Sequence, residues 1–271
     1  MSGSVLVVAH RGSSHRRPEH TLAAYVAAVE EGADALECDV RLTRDGHLVC
    51  VHDRRVNRTS DGRGVVSEKS LADLATLDFG SWHGGLPDAA DELVAPDFDD
   101  DGADRRVLTL SRLLEFVVDA GRPVRLFVET KHPTRYGGLV EQQLVQVLRY
   151  FGLDRPDDRD GSPVVMMSFA AAAVRRVRTL APGLPTMVLL DRLLAVRRSG
   201  RLPTGVVWSG PGLHVVRAVP DYVQRVKARG GRVYVWTVDE APDIELVRSL
   251  GVDAIATNRP TEVLARLAGY G

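Results

Sequence analysis

The chain has few cysteines and no long hydrophobic run. Its two cysteines, Cys38 and Cys50, are too few and too scattered for a disulfide framework or a zinc knuckle. The apolar run over residues 5–9 is too short for a signal peptide or a membrane span. We therefore expect a cytoplasmic protein without stable membrane anchoring, in which both cysteines lie in the core.

The chain also lacks a strong net charge. Its 35 basic and 36 acidic residues give a formal charge of -1. This balance provides no global field that would draw the protein onto nucleic acid or an anionic bilayer. Any recognition of phosphate must therefore be local, and we expect no nucleic-acid partner.

Short β-branched apolar runs alternate with helix-like stretches along the chain. The eight candidate strands are residues 5–9, 35–40, 124–130, 164–168, 186–190, 205–209, 232–237 and 253–257. The eight candidate helices are residues 21–31, 110–119, 138–150, 170–180, 191–199, 221–229, 241–250 and 261–267. This alternation is typical of parallel βαβ units, and no glycine-rich dinucleotide fingerprint follows the first strand. We predict an α/β fold, a (β/α)8 TIM barrel, which typically has about 250 residues.

A long irregular stretch interrupts this pattern after the second candidate strand. Residues 48–51 form a further short candidate strand, and residues 54–105 then follow, rich in Gly, Asp and Ser. A long irregular segment of this kind in a compact domain has a function more often than not. We expect one domain over residues 1–271, with the barrel in 1–53 and 106–271 and the insertion covering its mouth.

The end of the insertion is similar to the start of a calcium-binding loop. Asp97, Asp99 and Asp101 match the opening positions of an EF-hand loop. Leu108 stands at the twelfth position, where that loop needs a bidentate glutamate. We therefore predict a mobile acidic loop over residues 97–104 in place of a calcium site.

Two carboxylates end the second candidate strand, in the run Glu37-Cys38-Asp39. Because side chains alternate across a strand, Glu37 and Asp39 point to the same side. Two unpaired charges inside a barrel are costly, so this pair needs a cation. Ion pairs with Arg41 or Arg44 are the structural alternative.

The same spacing recurs in Glu129-Thr130-Lys131, at the end of another apolar strand. Glu129 would complete a carboxylate cage, and Lys131 would reach an anion. Three carboxylates with water suit a hard divalent cation such as Ca²⁺ or Mg²⁺, and not zinc. The sequence thus predicts a metal site whose carboxylate ligands come from separate strands.

Two histidines also follow strands. His10 and Arg11 lie at the end of the first strand, and (β/α)8 enzymes carry their working residues at the C-terminal strand ends. His52 follows the short extra strand, and Asp53 either orients it or caps the next turn. Imidazoles titrate near neutrality, so this pair suits a displacement at phosphorus in which one removes a proton and the other donates one.

In their order and spacing, these residues resemble the glycerophosphodiester phosphodiesterase family, over nearly the whole chain. The matching pieces are His10-Arg11-Gly12, Pro18-Glu19, Leu36-Glu37-Cys38-Asp39-Val40, His52-Asp53, Arg58-Thr59, Gly62 to Gly64, Leu77-Asp78-Phe79-Gly80-Ser81-Trp82, Glu129-Thr130-Lys131, Val235-Trp236-Thr237-Val238 and Gly251-Val252-Asp253-Ala254-Ile255. The resemblance implies a barrel of the phosphatidylinositol-phospholipase-C-like type. It also implies hydrolysis of a small glycerophosphodiester to glycerol 3-phosphate and an alcohol, through a cyclic phosphate.

The resemblance further implies a role for each candidate site residue. His10 and His52 would act as the acid and base. One divalent cation, Ca²⁺, Mg²⁺ or Mn²⁺, would be held by Glu37, Asp39 and Glu129. The substrate would be bound by Arg11 and Lys131 at the phosphate, Glu19 at the glycerol end, and Trp236 in the pocket wall.

Three positions depart from the family pattern. His20 stands where Asn is common, Asn258 stands where Asp is common, and the usual proline before Thr109 is absent. A histidine that begins a helix is more often a surface residue than a third titrating group. We expect the other two departures to lie away from the metal and proton-transfer groups.

Two other functions stay open. A lysophospholipase D or a cyclising phospholipase D would use similar residues on a lipid, and an exposed apolar rim in the insertion would favour it. The candidates for such a rim are Leu74, Leu77, Phe79 and Trp82, but their helical spacing indicates packing onto the barrel. The second alternative is a non-catalytic barrel that binds phosphate esters, which the complete set of candidate residues argues against.

Overall fold

The computed structural model describes residues 5–83, 105–194 and 197–269. The strands of this part of the chain are β1 (Leu6–His10), β2 (Ala35–Leu42), β3 (Leu48–Cys50), β4 (Arg125–Thr130), β5 (Val164–Ser168), β6 (Thr186–Leu190), β7 (Trp208–Pro211), β8 (Arg232–Val235) and β9 (Ala254–Thr257). All except β3 run parallel and pair in chain order, and β1 closes the ring by pairing with both β2 and β9. The predicted (β/α)8 barrel is confirmed, and β3 forms an antiparallel hairpin with β2.

Helices connect the barrel strands on the outside. In the described residues they are α1 (Leu22–Glu30), α2 (Leu71–Ala75), α3 (Leu110–Val118), α4 (Leu139–Tyr150), α5 (Ala171–Leu180), α6 (Leu213–Ala218), α7 (Asp221–Lys227), α8 (Ala241–Ser249) and α9 (Pro260–Ala268). Thr21 and Thr109 cap α1 and α3, since each side chain accepts an N–H from the first turn. Within the described ranges, no helix is long and apolar enough to cross a membrane.

Apolar side chains form separate layers inside and outside the barrel. The outer layer packs the strands against the helices and includes Cys38 and Cys50, which are buried and free, as predicted. The inner layer fills the barrel with residues such as Val8, Phe127 and Tyr234. Because side chains alternate along β2, Cys38 faces the outer layer and its two acidic neighbours face the interior.

Two predicted elements are wrong. The described residues of 191–199 form bends and turns and no α-helix, and the short helix α6 follows β7 instead. The predicted strand over 205–209 lies too early, because Gly205 has a φ of +73° that is incompatible with a strand. β7 starts at Trp208 and runs on to Pro211.

The stretch that follows β3 packs onto the hairpin. Leu74 and Phe79 are buried in a cluster with Val49, Val56 and other valines, so these two side chains point inward. This is the packing that their spacing predicted. The acidic run over residues 97–104 lies outside the described residues.

Candidate active site

Three carboxylates meet inside the C-terminal mouth of the barrel. The β2–β4 register sets Asp39 beside Glu129, and Glu37 lies one inward position below Asp39. One oxygen from each of the three lies within 4.8 Å of the others. All three residues are buried, with Glu37 and Asp39 each only 1% exposed. The structure therefore brings together the predicted ligand set.

Burial opposes ionisation of all three groups. It raises the pKa of Glu37 well above its usual range, and the neighbouring charge of Asp39 adds to this. Burial and Asp39 likewise raise the pKa of Glu129 to about 8. Burial also acts against Asp39, yet Lys131, His20 and Arg11 together hold the pKa of this carboxyl well below its usual range. The cluster thus holds one firmly ionised carboxylate and two that need more positive charge.

Two cations already neutralise part of the cluster. Lys131 Nζ lies 2.9 Å from Glu129 Oε1 and 3.2 Å from Asp39 Oδ1. Arg11 Nε lies 3.1 Å from Asp39 Oδ2, and its backbone N–H donates to Glu37 Oε2. The ion pairs considered from sequence do not form: Arg41 donates to the carbonyl of His52, and Arg44 pairs with Asp73.

His10 is the last residue of β1, and a hydrogen bond at Nδ1 fixes its ring. Its Nδ1 lies 2.8 Å from Oδ1 of Asn258, whose amide N–H₂ donates to Asp239. Because this contact orients Oδ1 toward the ring, Nδ1 carries the proton and Nε2 is left free to accept one. Nε2 lies 4.0 Å from Glu37, and burial together with the charge of Arg11 lowers the pKa of His10 to about 4.

Asn258 was expected to avoid the proton-transfer groups, and this prediction is wrong. The residue follows β9, and its backbone N–H also donates to Asp239. Asn258 comes directly after β9, where the rule that identified His10 would have found it. Asp239 lies four residues after the end of β8, so that rule does not point to it.

The second histidine is held by an ionised carboxylate. His52 Nδ1 lies 2.7 Å from Asp53 Oδ1, so Asp53 orients the ring. Arg58 binds the other oxygen of Asp53 and also makes two hydrogen bonds to Glu19, which pairs with Arg11. An unbroken chain of polar contacts therefore runs from His52 to Arg11 and the carboxylate cluster.

Glu19 is partly buried within this chain of contacts. Burial raises its pKa, but the hydrogen bonds from Arg58 and the charge of Arg11 outweigh that effect and lower the pKa to about 2. Burial also raises the pKa of Asp53, but the hydrogen bonds from Arg58 and His52 together outweigh it and lower the pKa to about 2. These two carboxylates are firmly ionised, in contrast to Glu37 and Glu129.

His20 is not the surface residue expected from sequence. It is 5% exposed, with Nε2 3.0 Å from Asp39 Oδ2 and Nδ1 2.8 Å from the hydroxyl of Tyr25. Its φ of +63°, like that of +59° at Arg11, folds the intervening loop back over the mouth. No sequence pattern near His20 indicates that the loop turns back over the mouth, and the prediction of a surface residue was therefore wrong.

Two aromatic rings form one wall of the mouth. Trp236 follows β8 and donates its indole N–H to the carbonyl of Gly210. Its ring meets Phe169 edge-to-face at 5.4 Å, and Phe169, 42% exposed, lies 6.0 Å from Lys131 Nζ. Phe169 was not among the predicted site residues, although it follows Ser168 at the end of β5.

Comparisons with known proteins show the family of this chain. The profile of the glycerophosphoryl diester phosphodiesterase family matches residues 10–262. A probable glycerophosphodiester phosphodiesterase 1 of Mycobacterium tuberculosis is 48% identical over 268 residues, covering 98% of this chain and 94% of the relative. A glycerophosphodiester phosphodiesterase of Bacillus subtilis is 32% identical over 260 residues, covering 94% and 84%.

A solved structure gives the same result. The chain is similar to a phosphodiesterase of Oleispira antarctica, solved in complex with the product sn-glycerol-3-phosphate, at 25% identity and a TM-score of 0.78. The alignment covers 97% of this chain and 96% of that one. The chain belongs to the glycerophosphoryl diester phosphodiesterase family.

Proposed function

We propose that this protein hydrolyses glycerophosphodiesters to glycerol 3-phosphate and an alcohol. The observation that carries the proposal is the buried cluster of Glu37, Asp39 and Glu129 beside His10, at the end of a barrel where such enzymes place their chemistry. The names of the relatives, and the product bound to the structural neighbour, support the same substrate class.

The cluster fits one divalent cation. Three carboxylates whose oxygens lie within 4.8 Å of one another cannot all be ionised at low cost, which the raised pKa values of Glu37 and Glu129 express. Their all-oxygen donor set suits Ca²⁺ or Mg²⁺, with Mn²⁺ as a further candidate. When bound, such an ion supplies Lewis-acid chemistry at the phosphate and favours loss of a proton from a nearby hydroxyl.

The two histidines then act as a proton-transfer pair. His10 presents an unprotonated Nε2, because its Nδ1–H donates to Oδ1 of Asn258, and so it removes the proton of the attacking glycerol hydroxyl. His52 is backed by Asp53, which stabilises the ring when it is charged, and so it protonates the leaving alcohol. The product of this step is a cyclic phosphate, which water opens with the two roles reversed.

The remaining candidate residues bind the substrate. Arg11 and Lys131 bring positive charge to the phosphate, Arg11 through a planar fork and Lys131 as a point charge. Glu19, held by Arg58, accepts hydrogen bonds from the glycerol end. Trp236 and Phe169 provide an apolar wall for the carbon chain.

A substrate panel tests this proposal. We expect the purified protein to release glycerol 3-phosphate from water-soluble glycerophosphodiesters, to lose the activity on chelation and to regain it when Ca²⁺, Mg²⁺ or Mn²⁺ is restored. Lysophospholipids in the same panel test the lipid alternative. Of the rim candidates named from the sequence, Leu74 and Phe79 are buried and offer no apolar surface to a lipid. A protein that binds these esters without cleaving any of them would contradict the proposal and indicate a non-catalytic barrel.

A further inference from the structure

A small cavity adjoins the mouth of the barrel. It lies between β2, the turn after β3 and the loop that leads from β4 to α4, and its volume is about 30 Å³. One water molecule needs about 10–15 Å³ of such a cavity, so the cavity holds roughly two waters or the outer oxygens of one tetrahedral anion. Lys131 lines it as well as the carboxylate cluster, so the two spaces share a wall.

The charged side chains that line this cavity are all positive. They are Arg41, Arg54, Lys131 and Arg135, and none of the described lining residues is acidic. Of the remaining lining residues, five are apolar and three, Ser67, Thr134 and Tyr136, bear hydroxyls. Lys131 and Arg135 already pair with carboxylates outside the lining, so the positive potential that favours an anion comes mainly from Arg41 and Arg54.

Of the four cations, Arg41 gives the strongest argument for an anion site. Its side chain follows Asp39 on the inward face of β2, and the β2–β4 register places it beside Lys131. It is partly buried, and within the described residues it has no carboxylate within ion-pair distance, since its Nε and Nη2 both donate to the carbonyl of His52. A partly buried cation that is not in contact with a carboxylate is stabilised further when an anion approaches.

The other two arginines frame the open side. Arg54 is exposed and has no ion pair among the described residues. Arg135 pairs with Glu68 at 3.6 Å, but both side chains are more than half exposed, so this pair is weak and can exchange partners. Both arginines are therefore available to an incoming ligand.

We propose that this cavity is a second anion subsite, which takes a phosphate monoester or similar anion carried by the leaving alcohol of the substrate. The inference rests on the proposed function, because it assigns a substrate class to the same site. Arg41 of the lining donates to the backbone carbonyl of His52, so the cavity lies next to the residue proposed to protonate the leaving alcohol. The preferred substrates are thus glycerophosphodiesters whose alcohol bears a second negative charge.

Matched synthetic substrates test this subsite. Glycerophosphodiesters of ethanediol, propanediol and butanediol are compared with the same compounds carrying a phosphate on the terminal hydroxyl, so that the spacer length samples the reach to the cavity. For the best spacer we expect kcat/KM to rise about tenfold or more with the added phosphate, as charge-assisted hydrogen bonds imply. The preference should shrink as salt increases.

The double variant Arg54→Met/Arg135→Met should lose most of this preference while its activity on the hydroxyl-ended substrates stays within about twofold, since surface arginines contribute little to folding. Arg63→Met is the matched control, because Arg63 is an exposed arginine of the same stretch that does not line the cavity. It should keep the wild-type preference. Equal losses on both substrate sets, or a wild-type protein that does not discriminate, would overturn the subsite and leave the proposed function intact.

Calorimetric binding of 3-hydroxypropyl phosphate gives a readout that does not depend on catalysis. We expect the double variant to bind it at least about fivefold more weakly than the wild type and Arg63→Met do. If neither substrate set is hydrolysed, the proposed function fails, and equal binding by all three proteins overturns the subsite as well. If inorganic phosphate binds as tightly as the alkyl phosphate and the substrates show no preference, the cavity takes free phosphate and the substrate assignment is wrong.

Discussion

The barrel interior changes from apolar to charged within two residues of one strand. Phe127 of β4 is fully buried and packs against Trp208 and Tyr234, with ring centroids 5.7 and 5.2 Å apart. Glu129, the next inward residue, meets Asp39 and Lys131. The lower layer gains stability from burial, whereas the upper layer keeps groups that burial destabilises. The difference indicates that one layer maintains the fold and the other maintains the chemistry.

Loss of either histidine should give the largest functional effect. We expect His10→Ala and His52→Ala each to lower kcat by about 10²–10⁴-fold, the usual contribution of a positioned acid or base. The urea midpoint should change little, since both rings are partly exposed. The control is His47→Ala, because His47 is an exposed histidine of the β2–β3 turn. Full activity in either active-site variant, measured as release of glycerol 3-phosphate, would contradict the assigned roles.

The converse should hold for the lower layer. Phe127→Ala removes a fully buried ring, and we expect it to lower the free energy of unfolding by about 3–5 kcal/mol. The folded fraction should keep its kcat within a few-fold, because the ring, although beside Glu37 in the register, supplies neither a metal ligand nor a proton-transfer group. Urea denaturation monitored by circular dichroism measures the loss, with the exposed Phe169→Ala as the stability control. A destabilisation under about 1 kcal/mol would remove the contrast between the layers.

Substitution of the residues that hold the His10 ring should have an intermediate effect on activity. Asn258→Ala removes the acceptor that fixes the ring tautomer, and such supporting contacts are worth about 10–100-fold in activity. Asp239→Asn should act in the same direction, because it disturbs the contact that orients the amide of Asn258. The loss should fall mainly on kcat, with KM changed less. Wild-type kinetics in both variants would show that the ring needs no such support.

These outcomes also show how far the sequence could predict the site. His10, Glu37, Asp39 and Glu129 were identifiable because charged groups directly after apolar strands must gather at one end of a parallel barrel. The closed barrel followed from the same alternation. The residues that lie at each strand end can be identified from the local sequence alone.

The errors concern contacts made across the mouth. His20 reaches Asp39 only because the loop after β1 turns back through the left-handed conformation of Arg11. Asn258 reaches His10 because β9 closes the ring beside β1. Such contacts depend on how distant segments meet, and no local pattern records them. The cavity beside Arg41 was likewise visible only once the insertion and the β4–α4 loop were placed together.

The smallest expected effect concerns stability and pH in chelated protein. Burial and Asp39 raise the pKa of Glu129 from its ordinary value of 4.5 to about 8 in the folded protein, so between these values the folded state binds more protons than the unfolded state. The stability of the wild type should therefore fall as pH rises from about 4.5 to about 8. Glu129→Gln should flatten this slope in urea titrations at successive pH values. An unchanged slope would mean that the carboxyl is not strained by its neighbours.

Metal stoichiometry measured together with activity tests the central claim most directly. Chelated protein is titrated with Ca²⁺, Mg²⁺ or Mn²⁺ while bound ion and release of glycerol 3-phosphate are followed in the same sample. We expect activity to rise from background in proportion to one ion bound per chain, and Glu37→Gln or Glu129→Gln to weaken both together. Full activity in protein that holds no ion would contradict the account.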